Sequence, residues 1–260
     1  MRFRRLIGVL APPLAVFVAV TVAAEYYLRW ADVSPWLIPR PTAVFAAAQK
    51  VAPSLARSLG NTAVAALAGF AASVLIGVSV AILLSTTRLV RNAFYPYTIF
   101  FQTVPVVAIA PLLVIWFEAG LKRVAICAFI VSLFPVIANT LTGLLSTDPA
   151  LRDLFRLYRA GPISTLLKLR LPWAMPNIIT GLRIAAGLAV IGAIVGEFVA
   201  GDLSADAGIG VLVATEARQG RVDRVFAAIL AASLLGLAML CAVNLAGYLL
   251  MRRWHASEQH

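Results

Sequence analysis

The chain has 260 residues, 62% of them hydrophobic and only 13% charged, with a mean hydropathy of +0.93. A soluble domain of this length lacks the interior to hide so much apolar surface, so the composition excludes that class and points to a membrane protein. The formal net charge of +11 would also suit nucleic acid. The basic residues, however, gather at the ends of apolar runs, where they act as topology signals and touch the headgroups of membrane lipids; no nucleic-acid partner is expected.

A helix needs roughly 20 apolar residues to cross the hydrocarbon core. Six runs qualify, at residues 6–24, 62–85, 94–117, 124–145, 175–200 and 225–251. The expected fold class is all-α: a polytopic membrane protein of about six transmembrane helices. No linker, low-complexity tract or internal repeat divides it, so a single domain over residues 1–260 is expected. The first run comes after Arg2, Arg4 and Arg5 and ends in Val22-Ala23-Ala24, a pattern that also fits a cleavable signal peptide. Its length and Pro12-Pro13 favour a retained span. Between the first two runs, residues 34–41 form an extended prolyl stretch with Trp36 suited to the interface. An amphipathic helix is expected at residues 42–59, lying on the membrane. Residues 201–224 hold a short apolar patch, Ile209 to Val213, expected as a surface or re-entrant helix.

An even number of spans puts both termini on one side. With the loop at residues 148–172 on that side too, twelve basic residues fall there against nine opposite, and three acidic residues against seven. Both termini are therefore expected in the cytoplasm. Cys127 and Cys241 lie in apolar runs without metal or redox spacing and read as buried thiols.

The polar loop 148–172 carries Arg152, Arg156, Arg159, Lys168 and Arg170. Asp148-Pro149 has the form of a helix start, with Asp at the cap and Pro in the first turn. Leu151, Leu154, Phe155 and Tyr158 then share one face and the arginines another. Gly161-Pro162 breaks the helix, and a second short one is expected over residues 164–170, before Leu171-Pro172. By shape alone this fits either a connector lying on headgroups or a surface offered to another protein.

The loop resembles the EAA motif of ATP-binding-cassette importer permeases: Glu-Ala-Ala, three residues, Gly, nine residues, Ile-x-Leu-Pro. Without gaps the chain supplies Asp153-Leu154-Phe155, then Arg159 in the glycine's place, then Leu169-Arg170-Leu171-Pro172; a glycine comes two places late, at Gly161. The stretches 34–44 (SPWLIPRPTAV), 101–117 (FQTVPVVAIAPLLVIWF), 134–143 (FPVIANTLTG) and 171–185 (LPWAMPNIITGLRIA) resemble the nitrate/sulfonate/taurine branch of the same permeases. The resemblance covers about residues 34–250. It implies a bacterial inner-membrane permease that pairs with a second copy, two ATPase subunits and an extracytoplasmic substrate-binding protein, the loop being the helix that docks on the ATPase. ATP and Mg would be bound by those partners; the chain has no G-x-x-x-x-G-K-[ST] phosphate loop, and no cofactor of its own is expected.

Polar groups inside spans mark a candidate path: Gln102 and Thr103 beside Pro105, Asn139 near Pro135, Asn177, and Glu197. Interhelical hydrogen bonding is the competing reading for Gln, Thr and Asn. Arg183 fits snorkelling to the inner surface, and Glu197 fits pairing with an arginine of the outer loop. Gly181, Gly187, Gly192 and Gly196 suit close packing of the fifth span at the centre of the bundle. His255 and His260 lie on the C-terminal tail, and no paired carboxylates share a face within a span, which leaves no catalytic residues. Two other classes compete with the permease: a secondary carrier, which would need coupling-ion sites near the midplane, and an intramembrane enzyme. Cargo is expected among nitrate, sulfonates or taurine, or vitamin precursors such as pyrimidines and riboflavin, with a slight lean to the last.

Overall fold

The computed structural model describes residues 2–117, 120–200 and 207–252, with side chains over 11–100, 103–117, 120–199 and 207–251. Among these residues all regular structure is helical. In chain order the helices are α1 (Arg2–Trp30), α2 (Pro41–Lys50), α3 (Ala52–Thr86), α4 (Arg88–Thr103), α5 (Val106–Trp116), α6 (Leu121–Leu145), α7 (Pro149–Leu157), α8 (Pro162–Thr165), α9 (Leu171–Ala200), α10 (Ile209–Arg218) and α11 (Val222–Arg252). A π-helical turn, Leu166–Arg170, joins α8 to α9.

Among the described residues five helical runs are long and apolar enough to cross a membrane: α1, α3, α6, the run from α8 through α9, and α11. The third expected span, residues 94–117, is not one helix. It divides into α4 and α5 at Val104-Pro105. Proline offers no N–H to the carbonyl one turn back, and its ring collides with that carbonyl. The halves have 16 and 11 residues, about 24 and 16 Å long, each short of the hydrocarbon core.

The helix expected at residues 42–59 also divides. α2 stops at Lys50, Val51 leaves helical geometry at φ −105°, ψ 15°, and residues 52–59 become the first turns of α3. Pro53 favours that start, because its missing N–H falls among donors that the first turn leaves unbonded anyway. With 35 residues, α3 reaches about 52 Å and projects beyond the hydrocarbon core.

α6 is the centre of the bundle, packed against α9 on one side and α3 on the other. Small residues make both approaches possible, since lipid gives helices no hydrophobic reason to associate. A Cβ on Gly69 would stand 2.5 Å from the Ala125 carbonyl oxygen, and one on Gly192 would stand 2.9 Å from Ala128 Cα. Along the antiparallel α6–α9 seam the partners are reciprocal. Gly143 lies under Asn177, and Gly181 lies under Asn139. Gly187 alone among the four glycines expected to pack faces open space. Between α3 and α6, Ser73 Oγ and Ser132 Oγ share a 2.6 Å hydrogen bond, and Ser73 also donates to the Phe129 carbonyl at 2.9 Å.

The outside of the bundle is apolar, as a bilayer requires: Phe17, Leu75, Ile115 and Leu234 are all more than half exposed. α1 meets the rest chiefly through α2. There Glu25 accepts from Thr42 N and Oγ1 at 3.1 and 3.0 Å and pairs with Arg29 at 2.8 Å.

Candidate functional site

The loop between α6 and α9 forms the helix–turn–helix that its residues dictate. Asp148 caps α7, its side chain accepting from Ala150 N at 2.7 Å, and Pro149 takes the first turn. α7 has no buried residue. Leu157 and Tyr158 are 79% and 78% exposed, and Leu154 is 44% exposed. Phe155 is half-buried. Asp153 pairs with Arg156 at 3.3 Å, both well exposed, an arrangement that contributes little in water. The apolar stripe of α7 is thus only half covered by its own chain, with Leu151 and Phe155 partly packed and Leu154 and Tyr158 outward.

The end of α7 explains the irregular motif. Arg159 N donates to the Arg156 carbonyl and Ala160 N to the Phe155 carbonyl, both at 2.9 Å. This is the Schellman arrangement, which places one residue in left-handed geometry. That residue is Arg159, at φ +53°. Gly161, at φ −65°, begins α8 and uses none of its freedom. The gapless alignment therefore puts arginine where the backbone favours glycine, at a cost of about 1 kcal/mol.

Beyond Gly161 the loop turns inward. Leu169 is buried, and Leu166 and Leu171 pack on a core of Leu144, Ala174 and Ile178; Pro172 is half-buried in the first turn of α9. Arg170 reaches across this core. Its Nε and Nη2 donate to the Leu144 carbonyl at 3.3 and 3.2 Å, and Nη2 donates to the Ser85 carbonyl at 3.2 Å. As a sequence, Arg170 is one more basic residue of the loop; nothing in its spacing names two carbonyl partners on separate helices.

The candidate path residues do not form one cluster. Gln102 lies on α4, its side chain outside the described residues, and Thr103 turns its hydroxyl back to the Phe100 carbonyl at 2.7 Å. Both adjoin the α4–α5 break. Asn139 and Asn177 share the α6–α9 seam, and Asn139 Nδ2 donates to the Pro135 carbonyl at 2.9 Å. Glu197 stands twenty residues beyond Asn177, about 30 Å along α9.

At that far end Glu197 is only 4% exposed. Among the described residues its partners are not arginines. Thr62 Oγ1 of α3 donates to it at 2.8 Å, and Gly210 N in the first turn of α10 does so at 2.8 Å. Thr62 Oγ1 also accepts from Ile209 N at 2.9 Å. A carboxylate of α9 thereby caps the start of α10, where unbonded N–H groups and the helix dipole favour negative charge. Gly208 allows this, because a Cβ there would strike the Glu197 carboxylate. The arginines expected for Glu197 go to Glu216 instead, with Arg221 and Arg224 at 3.5 and 3.4 Å. Ile209, Val211 and Ala214 are buried, so α10 packs into the bundle end rather than resting on a surface.

Two cavities open beside α4. One, of about 600 Å³ between α3, α4, α5 and α6, is lined by apolar and aromatic groups including Phe94, Tyr97 and Phe134. The other, of about 410 Å³, is lined by Arg91, Asn92, Tyr95 and Thr142 among others.

Residues 73–255 match the family described as binding-protein-dependent transport system inner membrane component. The formylaminopyrimidine transport permease protein ThiX of Halalkalibacterium halodurans is 32% identical over 89% of this chain and 91% of its own length. An ABC transporter permease protein of Haemophilus influenzae is 40% identical over 60% of this chain, and the riboflavin transport system permease protein RibX of Chloroflexus aurantiacus is 32% identical over 65%. The chain covers 62% of the length of each of these two. Among solved structures, an inward-facing form of the MetNI methionine ABC transporter shares the fold, with a TM-score of 0.60 at 17% identity over 76% of this chain and 95% of that one. The chain belongs to the family of binding-protein-dependent transport system inner membrane components, and is a multi-pass inner-membrane permease subunit of an ATP-binding-cassette importer.

Proposed function

We propose that α7 is the element through which separate ATPase subunits drive this permease. The observation that carries the reading is the exposure of Leu154, Leu157 and Tyr158 on a helix capped by Asp148 and followed by a segment anchored through Leu169. On this reading two copies of the chain pair with two ATPase subunits, which bind ATP and Mg; this chain needs no cofactor. With α4 and α5 together making the sixth crossing, the loop and both termini lie in the cytoplasm, and α10 lies at the opposite face, where a binding protein delivers cargo. ATP binding then favours one of two packings of the dimer, and the loop passes that bias to the spans.

The path runs past the α4–α5 break. At membrane depth, irregular backbone is tolerated only where it is buried in protein or meets water, which supports Gln102 and Thr103, beside the break, as residues of the path. Asn139 and Asn177 border the path from the seam, and Glu197 acts through α10. A small heterocyclic vitamin precursor is the proposed cargo, supported by the relatives named for formylaminopyrimidine and riboflavin and by the aromatic wall of the larger cavity.

Two experiments test these statements. Asp153→Arg and Tyr158→Ala are expected to insert normally while uncoupling transport from ATP hydrolysis; unchanged transport with normal ATPase association rejects the coupling role. Calorimetry on the cognate binding protein is expected to show binding of a pyrimidine precursor or riboflavin. Binding of nitrate with no heterocycle bound rejects the cargo.

A further inference from the structure

We infer that Arg170 is a positioning residue that ties the ATPase-facing loop to the ends of α3 and α6, so that the loop cannot shift without moving both. This rests on the reading of α7 as the coupling element, and adds the point at which its movement enters the bundle.

The last four carbonyls of a helix have no partner within it. Leu144 is one residue from the end of α6, and Ser85 is one residue from the end of α3. Arg170 donates to both, with three hydrogen bonds of 3.2 to 3.3 Å. A cation at a helix C-terminus is further favoured by the aligned peptide dipoles, and here one guanidinium serves two such ends. Its planar fork suits this task in a way that a single ammonium does not.

The backbone aims the side chain. Arg170 closes the π-helical turn, in which Leu171 N donates back to the Leu166 carbonyl. A π turn carries one more residue than an α turn and so shifts the faces that later residues present. Leu169 is thereby directed into the core, and Arg170 is directed over the Leu144–Ala174–Ile178 floor towards the helix ends. Arg170 is also partly screened from solvent, whereas Leu157 and Tyr158 on α7 are outward. Docking and transmission thus fall to different residues of one loop. A pull on α7 reaches Arg170 through residues 158–169, and reaches α3 and α6 through its hydrogen bonds.

The test uses the complete importer, permease with ATPase subunits and binding protein, reconstituted in liposomes. Transport and ATP hydrolysis are measured together for Arg170→Met, Arg170→Lys and Tyr158→Ala. Arg170→Met is expected to retain its ATPase subunits and hydrolyse ATP while transport per ATP falls about tenfold, within the range of ordinary coupling energies. Arg170→Lys, which keeps the charge but not the fork, is expected to lose part of that ratio with normal insertion. A merely structural defect would lower transport and hydrolysis in proportion and leave the ratio unchanged. An unchanged ratio in Arg170→Lys, or in Arg170→Met where it inserts, overturns the inference, as does loss of ATPase subunits from either inserted variant. Tyr158→Ala separates the two levels: if it transports normally with its ATPase bound, the coupling reading of α7 has failed independently of Arg170.

Discussion

The two ends of this permease solve opposite problems with the same kinds of residue. At one end, α7 presents leucines, a tyrosine and arginines that its own chain does not cover. At the other, α10 is drawn into the bundle, and the Glu197 carboxylate, the Thr62 hydroxyl and the first N–H groups of α10 satisfy one another. An exposed apolar stripe on a well-capped helix has its partner outside the chain, whereas a buried carboxylate with every donor supplied internally is a staple. The difference separates residues that recognise another protein from residues that hold this one together.

Glu197→Ala gives the largest expected effect. It strands the Gly210 N–H in a buried site, while Thr62 keeps the Ser58 carbonyl as acceptor, destabilising α10 by about 2 kcal/mol, which thermal unfolding in detergent would register. Gly208→Ala should act in the same direction by forcing the carboxylate aside. Leu157→Asp should do the reverse: stability within about 0.5 kcal/mol of the parent, but retention of ATPase subunits in a pull-down lower by at least about tenfold. If Leu157→Asp proves as destabilising as Glu197→Ala, α7 is covered within the fold and the contrast collapses. The smallest effect belongs to the turn after α7. Arg159→Gly should relieve about 1 kcal/mol of left-handed strain and slow amide exchange at Ala160. Gly161→Ala, at ordinary φ with open space around it, should change almost nothing.

Much of this architecture can be read before any coordinates. Long apolar runs yield five of the spans, and Asp148-Pro149 ahead of an apolar stripe yields α7 with its cap. The third span misleads because hydropathy does not distinguish one long helix from two short ones; Pro105 is visible in the run, but a proline within an apolar segment can kink a helix as well as break it. The partners of Glu197 are illegible for another reason. One is a backbone N–H group, which every residue but proline carries, and the other is a threonine buried in an apolar run. Arg170 is hidden similarly, since carbonyls at helix ends leave no mark in a sequence.

The reciprocal seam of α6 and α9 has an evolutionary consequence. Asn139 and the Pro135 carbonyl oxygen fill the space above Gly181, and Asn177 and Ala174 fill that above Gly143, so neither glycine can gain a side chain while the two helices keep this distance. Homologous permeases should therefore keep glycine at both positions, because trimming the facing asparagine still leaves the opposite backbone in the way. Two helices locked in that way cannot slide past each other, so drift in their sequences is confined to exchanges that keep the register.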